Sequence, residues 1–376
     1  MRKLTTLFAG ALSAAAVIAL VAGTVTAASA DPVGKNGKPI LPAAFDVVGV
    51  GSNTTQFVLD QISIDYNTTV PASKHSAARP YLYSWDAVGS AKIVTKAGCG
   101  GIKSIARPNG SGAGVKALTA NTLDGKGLFC VDFARSSSGR ASTAPPLQKN
   151  GIAYVAFARD AVTYATRSAK FGGTDAPANL TTADLTAIYT CAPGARNWNA
   201  FGGKNAVIKP FLPQSSSGTR SFFLKAINVK NPGSCVSDGT GPTGSIEENE
   251  GTNKLLNDPA AIFPFSVGSY VEQAFHSGKG QNKFGANSVG VLGLDKINGI
   301  APLNGKVIKP AFAASKFGRT LYNVTRVQAT KIAIPPSLVK IFGSRAQKGF
   351  LCSSPVAAKD ITNYGFLTIP NCGSIS

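Results

Sequence analysis

Pro213-Gln214-Ser215-Ser216-Ser217-Gly218-Thr219-Arg220-Ser221-Phe222-Phe223-Leu224 is the stretch from which the rest of the chain is read. A run of small hydroxyl residues and a glycine empties directly into an apolar-periodic segment, Phe222, Phe223, Ala226 and Ile227. That pattern predicts a polar loop capping a helix N-terminus. The first N–H groups of such a helix have no intrahelical partner and its dipole favours negative charge, so the terminus is suited to an anion. Ser and Thr hydroxyls add donors, and Arg220 adds a fixed positive charge. Alone this is also what an ordinary N-cap looks like; its weight comes from similar loops elsewhere in the chain.

The first of these follows Phe45-Asp46-Val47-Val48-Gly49-Val50, which reads as a strand, and consists of Gly51-Ser52-Asn53-Thr54-Thr55 before a helix carrying Val58, Leu59, Ile62 and Tyr66. Ser52 or Asn53 is its natural cap. The second is Arg107-Pro108-Asn109-Gly110-Ser111-Gly112-Ala113-Gly114, opening a helix with Val115 and Leu118; its glycines let backbone approach a ligand. It lacks the acidic ribose partner and unit spacing of a dinucleotide fingerprint. Leu128 to Phe133 then gives a short strand ending in Ala134-Arg135-Ser136-Ser137-Ser138, a polar loop at the strand end where open α/β sheets place ligands.

Between and beyond these loops the chain alternates strand and helix. Tyr81 to Asp86 is aromatic-rich and reads as core, and Ala91 to Val94 as a strand. Ile152 to Ala158 is a near-continuous apolar run, expected as a strand buried on both faces and as the first crossing between domains. Thr181 with Asp184 makes a capping box for a helix buried through Leu185, Ile188 and Tyr189. Val289 to Leu294 reads as a strand, and Ile297 to Pro302 as a strand and turn. Phe317 to Val327 reads as the return crossing, and a last helix near 337–342 and a strand near 364–367 close the chain. Glu247-Glu248-Asn249-Glu250, the one acidic cluster, reads as a solvated loop.

Arg2 and Lys3, an apolar run from Leu7 to Val21, and Ala28-Ser29-Ala30 make a signal peptide of residues 1–30. No cysteine stands near that cleavage point to take a lipid, so a secreted, soluble protein without a lipid anchor is expected, extracellular or held at the cell wall. The 346 residues that follow are enough for two domains. Setting Arg2 and Lys3 aside leaves 36 basic against 18 acidic side chains, a net +18, which suits an anionic small ligand or an anionic wall polymer. The basic residues are dispersed without aromatic interleaving, which argues against nucleic acid. Six cysteines without a C-x-x-C read as disulfides, paired as sequence neighbours: Cys99 with Cys130, Cys191 with Cys235, Cys352 with Cys372. The two histidines, His75 and His276, read as surface residues, so neither metal binding nor His-based catalysis is expected.

Taken together, the loops resemble those of the phosphate-binding proteins of ABC importers (PstS-like), the type II periplasmic solute-binding family. The match rests on Gly49-Val50-Gly51-Ser52, Asn109 to Val115, Val131-Asp132-Phe133-Ala134, Asn179-Leu180-Thr181 with Leu185, Ile188 and Tyr189, Asn197-Trp198, and Ser217-Gly218-Thr219-Arg220. The resemblance implies an α/β fold of two lobes joined by two crossing strands. The boundaries expected are 31–157 plus 321–376 for one lobe and 158–320 for the other. It also implies an anion held in the cleft by Asn53 or Thr54, Ser111, Ser217, Gly218 and Thr219. Two family features are replaced: Ser137 aligns with a carboxylate that accepts the phosphate proton, and Pro213 and Ser215 stand for an arginine and an aspartate. Arg135 and Arg220 are the expected sources of positive charge.

The expectation is therefore a monomeric, secreted binding protein for phosphate or a related oxyanion, with an ABC permease as partner and without cofactor, metal or catalytic residues. Two alternatives stand beside it. One is a cationic wall or matrix protein that has lost small-ligand binding. The other is a serine hydrolase, for which Ser52, Ser111 and Ser217 lack both a G-x-S-x-G elbow and a histidine partner in sequence.

Overall fold

The strand that opens with the apolar run at Ile152 continues nine residues past Ala158. In the computed structural model, which describes residues 32, 39–141, 144–240, 244–276 and 289–376, one strand covers Ile152–Arg167. The expected signal peptide lies outside the described residues. Buried polar residues Asp160, Thr163 and Thr166 interrupt the apolar pattern in the strand's second half, which is why the sequence pattern breaks off early.

This strand is the middle of the main sheet. We label β1 (Val47–Gly51), β2 (Leu82–Ser84), β3 (Phe133–Ser136), β4 (Ile152–Arg167), β5 (Lys209–Pro210), β6 (Ala261–Ser266) and β7 (Gly318–Arg326). Their order is β2-β1-β3-β7-β4-β6-β5, and short strands Leu292–Leu294 and Leu367–Thr368 also pair with β4. β1 is parallel to β2 and β3, so the loop after β1 that enters the first helix and the serine loop after β3 open at one sheet end. β7 runs antiparallel to β3 and β4, with a register shift between Leu321 and Tyr322. β6 is antiparallel to β4 and parallel to β5.

Two large apolar clusters lie along β4. One joins Val47, Phe57, Leu59, Ile62 and Phe133 to Ala153, Val155, Ala156, Phe157, Ala158, Leu321 and C-terminal residues from Ile334 to Cys372. The other joins Ala161, Val162 and Tyr164 to residues from Leu180 to Phe317, including Leu185, Ile188, Tyr189, Trp198 and Phe223. The capping box at Thr181 is formed, with Asp184 N donating to Thr181 Oγ1 and Thr181 N donating to the Asp184 carboxylate.

β6 and the helix after it, Val267–Phe275, have no counterpart in the sequence reading. Pro264 within β6 weakens its strand signal, because a proline argues against a central strand. Its position resolves the conflict. Phe211 N donates to Ile262 O, so Pro264, two residues on, turns its nitrogen the same way but beyond the end of the two-residue partner β5. No ladder donor is needed there.

The helix at Pro336–Phe342 is also not the last: Phe350–Ser353 and Pro355–Asn363 follow. The disulfides are Cys99–Cys130, Cys191–Cys235 and Cys352–Cys372, each between sequence neighbours. The histidines depart from the surface reading. His75 Nε2 lies 2.6 Å from Asp46 Oδ1 and its ring stacks on Tyr81, while His276 is partly exposed beside Tyr364.

Candidate anion site

Three helices direct their N-terminal ends at one buried region: α1 (Gln56–Thr68), α2 (Ser111–Thr119) and α3 (Gly218–Ala226). α3 begins as its sequence suggests, with Ser217 as N-cap accepting from Arg220 N at 3.0 Å. The N-cap of α1 is Thr55, which makes no side-chain cap bond, and Thr54 N is left free of the helix. α2 starts after Gly110, whose φ of 100° suits glycine. A Cβ on Gly110 would also lie 2.5 Å from Ser216 O, so this glycine brings the α2 loop against the α3 loop. Gly218 does the same inside the site: a Cβ there would fall 2.3 Å from both Ser111 Oγ and Ser137 Oγ.

Ser52, Thr54, Ser111, Ser137, Ser217 and Thr219 are all buried here. Ser137 Oγ is 3.2 Å from Ser52 Oγ and 3.3 Å from Ser111 Oγ, and Ser137 N donates to Ser111 Oγ at 3.0 Å. Thr54 Oγ1 and Thr219 Oγ1 are 3.2 Å apart, which joins the first βα loop to the α3 terminus.

At the centre of these donors stands the carboxylate of Glu248, fully buried. Its Oε1 accepts from Thr54 N at 2.9 Å, Thr54 Oγ1 at 2.8 Å and Ser52 Oγ at 3.1 Å. Its Oε2 accepts from Thr219 N at 3.0 Å and from Ser217 Oγ. This overturns the solvated-loop reading of Glu247–Glu250. Backbone N–H groups and hydroxyls from two chain segments replace the water that a buried carboxylate loses. Burial pushes the Glu248 carboxyl up, but the Arg319 charge and the bonds from Ser217, Thr219 and Thr54 outweigh it and hold it below the usual carboxylate range.

The positive charge comes from Arg319 on β7. Its Nη2 donates to Thr219 Oγ1 at 3.1 Å and lies 2.7 Å from Asp160 Oδ2 on β4, while Nε donates to the same oxygen at 2.9 Å. Because the Thr54 hydroxyl proton goes to Glu248, Thr219 donates to Thr54, and a donor chain runs Arg319, Thr219, Thr54, Glu248. Arg319 Nη1 is buried without a hydrogen-bond partner among the described residues. Asp160 also accepts from Ser266 Oγ and Gly268 N, so it is fully engaged away from the site.

Neither arginine expected from the sequence bonds the central carboxylate. Arg135, completely buried, donates to Ser52 O, Gly51 O and Ser84 Oγ and so braces the first loop from beneath. Arg220 donates to Pro213 O, which folds it back along its own loop. Asn53 also binds elsewhere. Its Nδ2 donates to Glu247 Oε2 at 2.9 Å, Asn109 Nδ2 donates to Glu247 Oε1 at 2.6 Å, and Gln214 Nε2 bridges the two asparagine oxygens. Burial first, and then the neighbouring charge of Glu248, push the Glu247 carboxyl up to about 7 against the bonds from Asn109 and Asn53.

Arg319, Asp160 and Glu248 were all missed from sequence. Paired opposite charges inside apolar strands at Asp160 and Arg319 are the one signal available, since an unpaired buried charge is too costly to keep. Among the described residues no group of three or more His, Cys, Asp or Glu is placed to hold a metal ion, and no helix is long and apolar enough to cross a membrane.

Residues 76–326 match the family described as the PBP superfamily domain. The chain belongs to the PBP superfamily. Its structure is similar to an ABC-type phosphate transport receptor from Vibrio cholerae, with a TM-score of 0.52 and 19% identity over 86% of this chain and 100% of that one. It is also similar to a protein from Clostridium perfringens described as a phosphate ABC transporter substrate-binding protein with bound phosphate. There the TM-score is 0.53, with 16% identity over 86% of this chain and 99% of that one. Comparison with curated proteins finds no match. The fold of this PBP-superfamily chain is thus the two-lobed α/β solute-binding fold of phosphate receptors.

Proposed function

We propose that this chain is a secreted solute-binding protein that captures an oxyanion, phosphate first, between two lobes, and delivers it to an ABC-type importer. The observation that carries the reading is the buried Glu248 carboxylate: five donors from two helix-entry loops, backed by Arg319, hold a compact anion away from water. A tetrahedral oxyanion needs donors arriving from several directions, and helix termini supply them without the cost of ordering long side chains. The proposed ligand set is Ser52, Thr54, Ser111, Ser137, Ser217, Gly218, Thr219 and Arg319, with Arg135 bracing the first loop. Phosphate is the ligand named for both similar receptors.

We place the lobes at 31–157 plus 321–376 and at 158–320. The separation of the two apolar clusters along β4 supports this division. We read the role as binding rather than catalysis: among the described residues, Ser52, Ser111, Ser137 and Ser217 bond one another, Glu248 and nearby backbone.

A second reading is favoured by the same carboxylate. A secreted cationic protein that has given up free ligands would fill its own site, and the +18 charge would then serve an anionic wall polymer. A thermal-shift screen over phosphate, sulfate, phosphonates and organic phosphates separates the two. The binding protein is stabilised by at least one of them in a concentration-dependent way, since a ligand that binds only the folded state raises its stability. Stabilisation by none, together with retention on anionic wall polymer, supports the second reading instead.

A further inference from the structure

We propose that Glu248 is a tethered occupant of the anion site, a built-in competitor that must withdraw before a free oxyanion can enter. The proposal rests on the oxyanion-binding reading above. Both Glu248 oxygens are spent on the donors a free anion would need, namely Thr54 N and Oγ1, Ser52 Oγ, Ser217 Oγ and Thr219 N. A second anion cannot share them, because like charges a few ångströms apart in a buried site repel strongly. Occupancy is therefore one or the other.

The segment is built to dock as well as to compete. Glu247 grips Asn53 and Asn109 on the first half of the chain, while Asn249 O accepts from Gln273 Nε2 on the Val267–Phe275 helix. Glu248 itself spans Thr54 and Thr219, residues 165 apart in sequence. In the proposed lobe division the segment belongs to one lobe and Ser52, Asn53, Thr54 and Asn109 to the other. The latch thus supplies the bridging contacts that a bound anion supplies, and the closed arrangement is reached without a free ligand.

The thermodynamic consequence is a reduced apparent affinity. A ligand that binds only the unlatched state has its dissociation constant divided by the fraction of molecules unlatched. The tether keeps that fraction low, since its carboxylate is present at a high effective concentration. Removing the carboxylate removes the competition.

The test is calorimetric titration of inorganic phosphate and of sulfate into the parent, Glu248→Ala and Glu248→Gln, with folding checked by circular dichroism. The expected result is that a folded Glu248 variant binds one of these anions at least tenfold tighter than the parent, including the case in which the parent binds neither. If the folded variants and the parent bind equally, the competitor is overturned and the oxyanion reading stands. If parent and folded variants all bind neither anion, both are overturned. Hydrogen exchange on the parent keeps the test decisive should the variants misfold: saturating phosphate is expected to speed exchange of the 247–250 amides at least severalfold. Unchanged or slowed exchange there in a phosphate-bound parent overturns the proposal.

Discussion

Asp160 and Arg319 are direct partners across the antiparallel pair of β4 and β7, and Arg319 Nη2 lies 2.7 Å from Asp160 Oδ2 with both side chains almost wholly buried. The pair sits between the two apolar clusters, where the two long strands run side by side. Asp160 orients the guanidinium, and Arg319 passes its charge to the anion site through Thr219. Removing one member of a buried pair strands the other charge, at a cost of about 3–5 kcal/mol, whereas removing both costs less. Arg319→Met is therefore expected to destabilise the protein strongly in urea unfolding. The Asp160→Asn, Arg319→Met double variant should recover part of the loss. Equal stability of Arg319→Met and the parent would show that the pair carries none of this energy.

Gly218→Ala is expected to be far more harmful than an ordinary glycine-to-alanine change in a first helical turn. The new Cβ would fall 2.3 Å from the hydroxyl oxygens of Ser111 and Ser137. Those serines cannot both swing aside cheaply, since Ser137 N donates to Ser111 Oγ and Ser137 Oγ contacts Ser52 and Thr54. The α3 terminus must back away, opening the gap between Thr219 and Thr54. We expect a loss of roughly 1–3 kcal/mol, the usual scale of overpacking a close contact. The check is a denaturant midpoint for stability, alongside a phosphate titration in the Glu248→Ala background. A variant equal to its parent in both would mean the contact yields freely.

Thr219→Ala removes the hydroxyl that joins Arg319 to Thr54 but leaves the Thr219 N–H in place. Oxyanion binding should weaken by about 1–3 kcal/mol, the usual scale for a hydrogen bond to a charged group. Isothermal titration against the parent measures it. A smaller effect than that of Arg220→Ala would reverse the roles assigned to these neighbours.

Helix entrances were legible because they are written locally. Ser217-Gly218-Thr219 before Phe222 and Phe223 declares its cap within a few residues, whereas Gly51 to Thr55 before Val58 declares the turn but not the cap: Ser52 and Asn53 turn to Glu248 and Glu247, and Thr55 takes the N-cap position without a side-chain bond. Charges were not legible, because their partners lie far away in sequence. Glu248 meets Thr54 across 194 positions, and in a polar stretch beside Asn249 and Glu250 nothing nearby betrays its burial. Arg135 and Arg220 were assigned by nearness to the loops, yet a long side chain starting beside a loop can turn under it or back along it, as these two do. Pro264 weakens the strand signal of β6 because the rule against proline in strands depends on which way the nitrogen faces, and pairing alone decides that.

Glu247 makes the stability of the protein depend on pH in the opposite sense to an ordinary ion-paired carboxylate. Its folded-state value is raised from 4.5 to about 7, with burial the main cause and the Glu248 charge adding to it. Between those values the folded protein holds a proton that the unfolded chain has released. The slope of unfolding free energy with pH follows protons bound unfolded minus protons bound folded, so it is negative there. The Glu247 contribution is therefore full below about 4.5, falls as pH rises towards about 7, and is flat beyond. Glu247→Gln keeps an oxygen to accept from Asn53 or Asn109 and cannot ionise. Its melting temperature is expected to exceed that of the parent at pH 8, with the advantage shrinking towards pH 5. Asp295 and Asp360, also raised to about 7, contribute to the parent and the variant alike and cancel in the difference. Melting curves of the two proteins from pH 5 to 8 decide the matter: a constant gap would mean that Glu247 keeps its charge throughout and that the asparagine bonds outweigh its burial.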